Sequence, residues 1–147
     1  MTTANIELKV VSNFAWQHMK AATTFRDRLK DLELGNVCQA FGEFFIDIRS
    51  YAAASIMMTV ASVEALINEL MVAPGALGDL VTPKELWGSN GKGGILRRPV
   101  IDRYKVALKK LACSPIDGSA EAGEMQLVVD LRNALTHFEP TWNTTQT

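Results

Sequence analysis

The stretch from Gln39 to Val72, QAFGEFFIDIRSYAAASIMMTVASVEALINELMV, decides the fold. Phe41, Phe44, Phe45, Ile48, Ala52, Ile56, Val60, Val63, Ile67 and Leu70 recur at steps of three and four. That period puts one apolar stripe along a helix, about 50 Å long if unbroken at about 1.5 Å per residue. Ala52, Ala53, Ala54 and Ser55 are small enough to let a second helix approach closely, and Pro74-Gly75 stops the run.

Outward from this segment the same period dominates. A first helix reads from about Ile6 to Leu32, with Val10, Phe14, Met19, Ala22 and Phe25 on its apolar face and Gly35-Asn36 as its C-terminal cap. Thr82-Pro83-Lys84-Glu85 is a capping box with proline at the first helical position, predicting a short helix through Trp87. The glycine-rich run from Gly88 to Gly94 reads as a flexible connector. It is not a phosphate loop, because Leu86 stands where the Walker pattern needs its first glycine. It is not a dinucleotide fingerprint either, because Leu96 replaces the last glycine. A third main helix runs from Pro99 to about Ala112, with Val100, Tyr104, Ala107, Leu108 and Leu111 inward. A fourth runs from about Ala120 to Thr136, with Met125, Val128, Leu131 and Leu135 inward. Alternating strand patterns are scarce. The fold class is therefore all-α: an up-and-down bundle of four main helices with a short extra helix.

The 147 residues suit a single domain, with a core over about 6–138 and a frayed tail over 139–147. Hydrophobic residues at 48% and charged residues at 21% exclude a disordered or low-complexity chain. A net charge of −1 excludes a bulk nucleic-acid coat, so any nucleic-acid contact needs a local patch. One exists between Gly91 and Lys110. Lys92, Arg97, Arg98, Arg103, Lys105, Lys109 and Lys110 are opposed only by Asp102. The patch either tracks phosphates or pairs with acidic segments elsewhere.

Cys38 and Cys113 have no companions at metal-ligand spacing and read as buried small hydrophobes. No metal site and no cofactor are predicted. Trp16, Trp87 and Trp142 read as packing residues, and His18 as structural or exposed. The N-terminus lacks a signal-peptide pattern, and the longest uncharged run, Ser50 to Val63, falls short of the ~20 residues of a membrane span. No membrane partner and a cytoplasmic location are the expectation. Asn143-Thr144-Thr145 carries no meaning without a secretory route.

The chemistry concentrates in Arg132-Asn133-Ala134-Leu135-Thr136-His137, at the end of the last helix. Asn133 and His137 are i, i+4 and share a stripe, with Arg132 beside Asn133. Arg132 and His137 differ by about 140° round an ideal helix, so they converge only if the helix loosens near Pro140 or a partner chain closes the site. Cleaving RNA without a metal needs a base for the 2′-hydroxyl, an acid for the leaving 5′-oxygen and positive charge on the phosphate. A histidine serves as base or acid at neutral pH. An arginine is a permanent bidentate clamp. Glu64 and Asn68, also i, i+4, offer polar groups from the second helix to fix the imidazole or the guanidinium. The alternative for Arg132 and His137 is a surface pair favoured by the helix dipole. For Glu64 and Asn68 it is a solvated edge or an interhelix hydrogen bond.

An all-α chain of this length ending in Arg-Asn-x-x-x-His resembles the HEPN domain. The stretch Ser62 to Leu70 is similar to the polar-bearing helix of those proteins. The resemblance implies a metal-independent endoribonuclease, a toxin or defence effector acting as a homodimer on RNA and held in check by an antitoxin protein. Arg132, Asn133 and His137 would be catalytic, Glu64 and Asn68 supporting, and Lys92, Arg97, Arg98, Arg103 and Lys105 would bind RNA. The alternative it implies is a non-catalytic HEPN-like module that binds a partner or a nucleotide. A helical scaffold unrelated to that family is the third reading, with the Phe41–Leu70 stripe as an oligomer interface.

Overall fold

The fold was obtained as a computed structural model, which describes residues 13–89 and 92–137. It is mostly helical. Helix α1 spans Phe14–Gly35 and starts at Asn13, whose side-chain oxygen accepts from the Trp16 N–H at 2.9 Å. Residues 6–12, expected within this helix, lie outside the described residues. The helix closes at Asn36 through its side chain, which donates to the Leu32 carbonyl at 2.7 Å, and its backbone is not left-handed there. Helix α2 spans Phe44–Val72, five residues shorter at its start than the periodicity predicts. Gly42 explains the delay, since a glycine inside a helix costs about 1 kcal/mol. Phe41 packs on Phe45 at 4.2 Å between ring centroids but stays 82% exposed.

Pro74 ends α2, and a short 3₁₀ turn follows at Leu77–Asp79. Helix α3, Pro83–Trp87, carries the full capping box: Thr82 accepts from the Glu85 N–H, and Glu85 accepts from the Thr82 N–H. The described residues of the glycine run, 88–89 and 92–94, are paired and packed rather than loose, and residues 90–91 lie outside the described residues. Strands β1 (Gly88–Ser89) and β2 (Lys92–Gly93) pair antiparallel, Gly88 opposite Gly93. Gly88 sits at φ +78°, and a Cβ there would collide with the backbone of Lys92 and Gly94, so only glycine fits. A second 3₁₀ turn, Ile95–Arg97, leads into α4 (Val100–Lys110), and α5 spans Ala120–Thr136 behind the Ser119 cap.

Two kinds of packing hold α2. On one side α1 runs antiparallel to it at close range. Ser62 Oγ donates to the Ala15 carbonyl at 2.8 Å and Ser55 Oγ to the Ala22 carbonyl at 3.1 Å. The small residues on both helices permit this approach. Ala15 and Ala22 are the buried residues of α1, whereas Phe14 and Met19, expected inward, are exposed. On the other side, the C-terminal half of α2 enters the main apolar cluster. Ile67 and Met71 pack there with Leu77, Val81, Leu86, Ile95, Val100, Ile101 and Ala107, and Met125 and Val129 of α5 pack against it.

Of the predicted stripe, Val60 and Ile67 are buried and Phe41 and Leu70 are exposed, and Ile46 and Leu66, which lie off that stripe, are exposed as well. Leu131 and Leu135 of α5 are exposed as well. Cys38 and Cys113, expected in the core, are both exposed, because each lies in a connection beyond a helix end. Trp16 and Trp87 are also mostly exposed rather than packed, and Trp142 lies outside the described residues. As a whole, α2 has the length and apolarity of a membrane span, with 17% of its most apolar window buried. In this fold Ser55, Ser62, Glu64, Asn68 and Glu69 of that helix are all bonded to other helices.

Candidate functional site

Glu64 and Asn68 are one helical turn apart on α2, so they share a face. That face meets α4 and α5. Arg132, on α5, donates from Nη2 to Glu64 Oε1 at 3.2 Å across 68 residues of sequence. Arg103, in the first turn of α4, donates from Nη1 to Asn68 Oδ1 at 2.8 Å and from Nε to the Arg98 carbonyl at 2.8 Å. Its Nη2 also lies 4.0 Å from Glu64 Oε1. One carboxylate thus serves two guanidinium groups, and the cluster retains a surplus positive charge. The side chain of Arg103 is 11% exposed, and that of Arg132 is 30% exposed. Low exposure reduces solvent screening, so the surplus charge acts more strongly here than on open surface.

Among the described residues the geometry of Arg132 is incompletely satisfied. Its Nε is buried and has no hydrogen-bond partner among them. A side-on pairing would use Nε and Nη2 together. Glu64 takes only the Nη2 prong. The neighbouring Tyr104 ties α4 to the same turn of α2 by donating to the Val63 carbonyl at 2.9 Å. Burial pushes its phenol above the ordinary value, against a smaller opposing effect of Arg103.

His137 is the C-cap of α5, and its backbone N–H donates to the Asn133 carbonyl at 2.8 Å. The Thr136 hydroxyl donates to the Arg132 and Asn133 carbonyls, at 3.0 and 3.2 Å. Asn133 and His137 are both exposed, and among the described residues neither side chain bonds to Arg132 or Glu64. Arg132 thus turns inward to α2, while Asn133 and His137 lie on the open side of α5. The helix holds its regular pitch up to Thr136, so the motif does not close within one chain.

The basic segment divides in two. Arg103 is enclosed in the cluster just described, and Lys105 pairs with Asp117 at 2.7 Å and Asp102 at 3.9 Å. The hydrogen bond that Lys105 donates to Asp117, and the Asp117 charge, raise the Lys105 ammonium above its ordinary value. Lys110 pairs with Glu85 at 2.7 Å. Arg103 and Lys105, predicted as RNA contacts, are therefore already committed to protein partners. Lys92, Arg97, Arg98 and Lys109 are exposed and lack an ion-pair partner among the described residues.

Arg103 belongs with Glu64 and Asn68, not with the surface patch, and sequence reasoning missed this. The signal was present: Arg103 lies three residues after Val100 and four before Ala107, both buried, so it stands on the apolar stripe of α4. Besides this cluster, an apolar groove of about 270 Å³ runs between α2 and α5, lined by Val60, Val63, Met125 and Val128, with Glu121 and Glu124 at its edge.

No family model, no curated protein and no solved structure matches this chain.

Proposed function

We propose that this protein is a metal-independent endoribonuclease with a HEPN-like up-and-down bundle, working in the cytoplasm as a homodimer. One observation carries the reading: Arg132, from the Arg-Asn-x-x-x-His motif, is held by Glu64 beside a second guanidinium in a cluster with surplus positive charge. Such a group suits a phosphate whose negative charge grows in the transition state. In the reaction, His137 takes the proton of the 2′-hydroxyl or gives one to the leaving 5′-oxygen. The 2′-oxygen attacks the adjacent phosphorus, the P–O5′ bond breaks, and a 2′,3′-cyclic phosphate and a 5′-hydroxyl result. Arg132 clamps the phosphate, and Asn133 orients the imidazole or binds a phosphate oxygen. A second copy supplies what one chain leaves open. Leu127, Leu131 and Leu135 form an exposed apolar row on the motif helix, and covering it with a partner chain brings a second motif near the first. Toxin or defence activity restrained by an antitoxin protein is the matching biological setting.

The second reading is a non-catalytic HEPN-like module for a partner or nucleotide. The separation of His137 from Arg132 on α5 favours it. The test is cleavage of mixed cellular RNA with EDTA present, comparing the wild-type protein with His137→Ala. Cleavage that survives EDTA and falls at least about 100-fold in the variant supports the ribonuclease, in line with the usual contribution of a general acid–base group. No cleavage by either protein leaves the binding module.

A further inference from the structure

The corner formed by α3, the β1–β2 pair and the 3₁₀ turn at Ile95–Arg97 carries an aromatic with no role so far, alongside cations expected to contact RNA. Trp87, the last residue of α3, is 60% exposed. It directly precedes Gly88, which pairs with Gly93, and Lys92 at the start of β2 stands opposite Ser89, two residues on from Trp87. Gly94 packs against the backbone at Leu86 and Trp87, and the Arg97 N–H donates to the Gly94 carbonyl. Trp87, Lys92, Arg97 and Arg98 thus lie on one short stretch of chain whose described backbone folds back on itself.

The charge on this corner is uncompensated. Between Val81 and Ile101 the one acidic residue is Glu85, and it is already bonded to Lys110 and Thr82. Lys84, Lys92, Arg97 and Arg98 have no ion-pair partner among the described residues. A large exposed indole loses favourable burial unless something covers it, and its flat face suits another flat ring. Cations beside it suit a chain of phosphates.

We propose that Trp87 is a base-stacking platform, with Lys92, Arg97 and Arg98 as its phosphate contacts, and that the ligand is an unpaired RNA strand. A duplex hides its base faces in its own stack, so it offers Trp87 nothing to stack on, whereas every base of a single strand presents one. The platform also connects to the motif. The Arg98 carbonyl accepts from Arg103, and the same guanidinium reaches Asn68 and Glu64, which holds Arg132. A strand lying along Arg97 and Arg98 is one side chain away from that cluster. This assignment rests on the ribonuclease reading for its choice of RNA, and its test reads binding separately from cleavage.

The test uses the full chain, a fluorescein-labelled 2′-O-methyl oligouridine that cannot be cleaved through its 2′-oxygen, and a duplex of equal length. Affinity is measured by anisotropy across a salt series. Trp87→Ala should weaken single-strand binding about 10-fold, within the usual range for one stacked base, while Trp87→Phe keeps most of it. The slope of log affinity against log salt should fall by about 1.4 in Arg97→Gln/Arg98→Gln, about 0.7 for each lost single-strand phosphate contact. Lys105→Gln, which removes a cation already paired with Asp117, should leave the slope unchanged. Circular dichroism confirms that each variant folds. Equal binding by wild type and Trp87→Ala, an unchanged slope in the double variant, or no binding by wild type overturns the assignment. Wild-type binding without cleavage of natural RNA removes the ribonuclease reading and leaves the platform standing. Cleavage that depends on His137 but is indifferent to Trp87 does the reverse.

Discussion

The two halves of α2 are held by different physics. Near its C-terminus, Ile67 and Met71 are 1% exposed and interlock with side chains from α4, the 3₁₀ turns and α3. Toward its N-terminus the helix leans on α1 through Ser55 and Ala22, and large apolar residues such as Ile46 remain 67% exposed. The first half is stabilised by volume filled with apolar atoms. The second is stabilised by close approach, where small residues matter because they are small. The difference teaches that an apolar stripe marks a surface able to be buried, not the surface that is buried.

Substitutions separate the two halves. Ile67→Ala removes a fully enclosed side chain and should cost about 2–5 kcal/mol of unfolding free energy. Ile46→Ala should stay within about 0.5 kcal/mol. Urea denaturation of both measures the contrast, and equal losses would erase it. Ser62→Leu attacks the same close approach further along the helix, by inserting volume between α1 and α2. It should cost about 1–3 kcal/mol, and Ser62→Ala less, since the Ala15 carbonyl keeps its place within α1. A Leu variant as stable as wild type would show that α1 does not sit this near α2.

A smaller effect sharpens the C-terminal half. Lys110 and the Thr82 hydroxyl and N–H hold the Glu85 carboxyl at about 2, below its ordinary 4.5. Because the folded value is the lower one, this stabilisation is complete above about pH 4.5 and is lost as pH falls toward 2. Melting temperatures of wild type and Glu85→Gln should therefore differ at neutral pH and converge in strong acid. A constant gap would assign the loss to packing instead. Thr82→Ala removes the cap itself and should cost about 1 kcal/mol at neutral pH.

Much of the candidate cluster was legible one helix at a time. The spacing of Glu64 and Asn68 places both on one face of α2, and Arg132 follows from the motif. What faced them was not legible, because nothing local to residues 62–70 specifies which turn of α4 or α5 lies opposite. Arg103 shows the cost: grouped by sequence with six other cations, it proved to be the buried partner of Asn68. His137 shows the converse, since sequence adjacency to Arg132 did not become spatial convergence on a regular helix.

The sequence alone determined the helical class, the stop at Pro74, the capping box at Thr82 and Glu85, and the helix bearing the Arg-to-His motif. Each depends on backbone hydrogen bonds and side-chain spacing within a few residues, and such interactions are written in local order. Only the tertiary structure decided which stripes are covered, that the two ends of the glycine run pair with each other, and that one carboxylate is shared by Arg103 and Arg132. Those outcomes depend on distances between segments 35 to 68 residues apart, set by volume and charge balance over the whole chain.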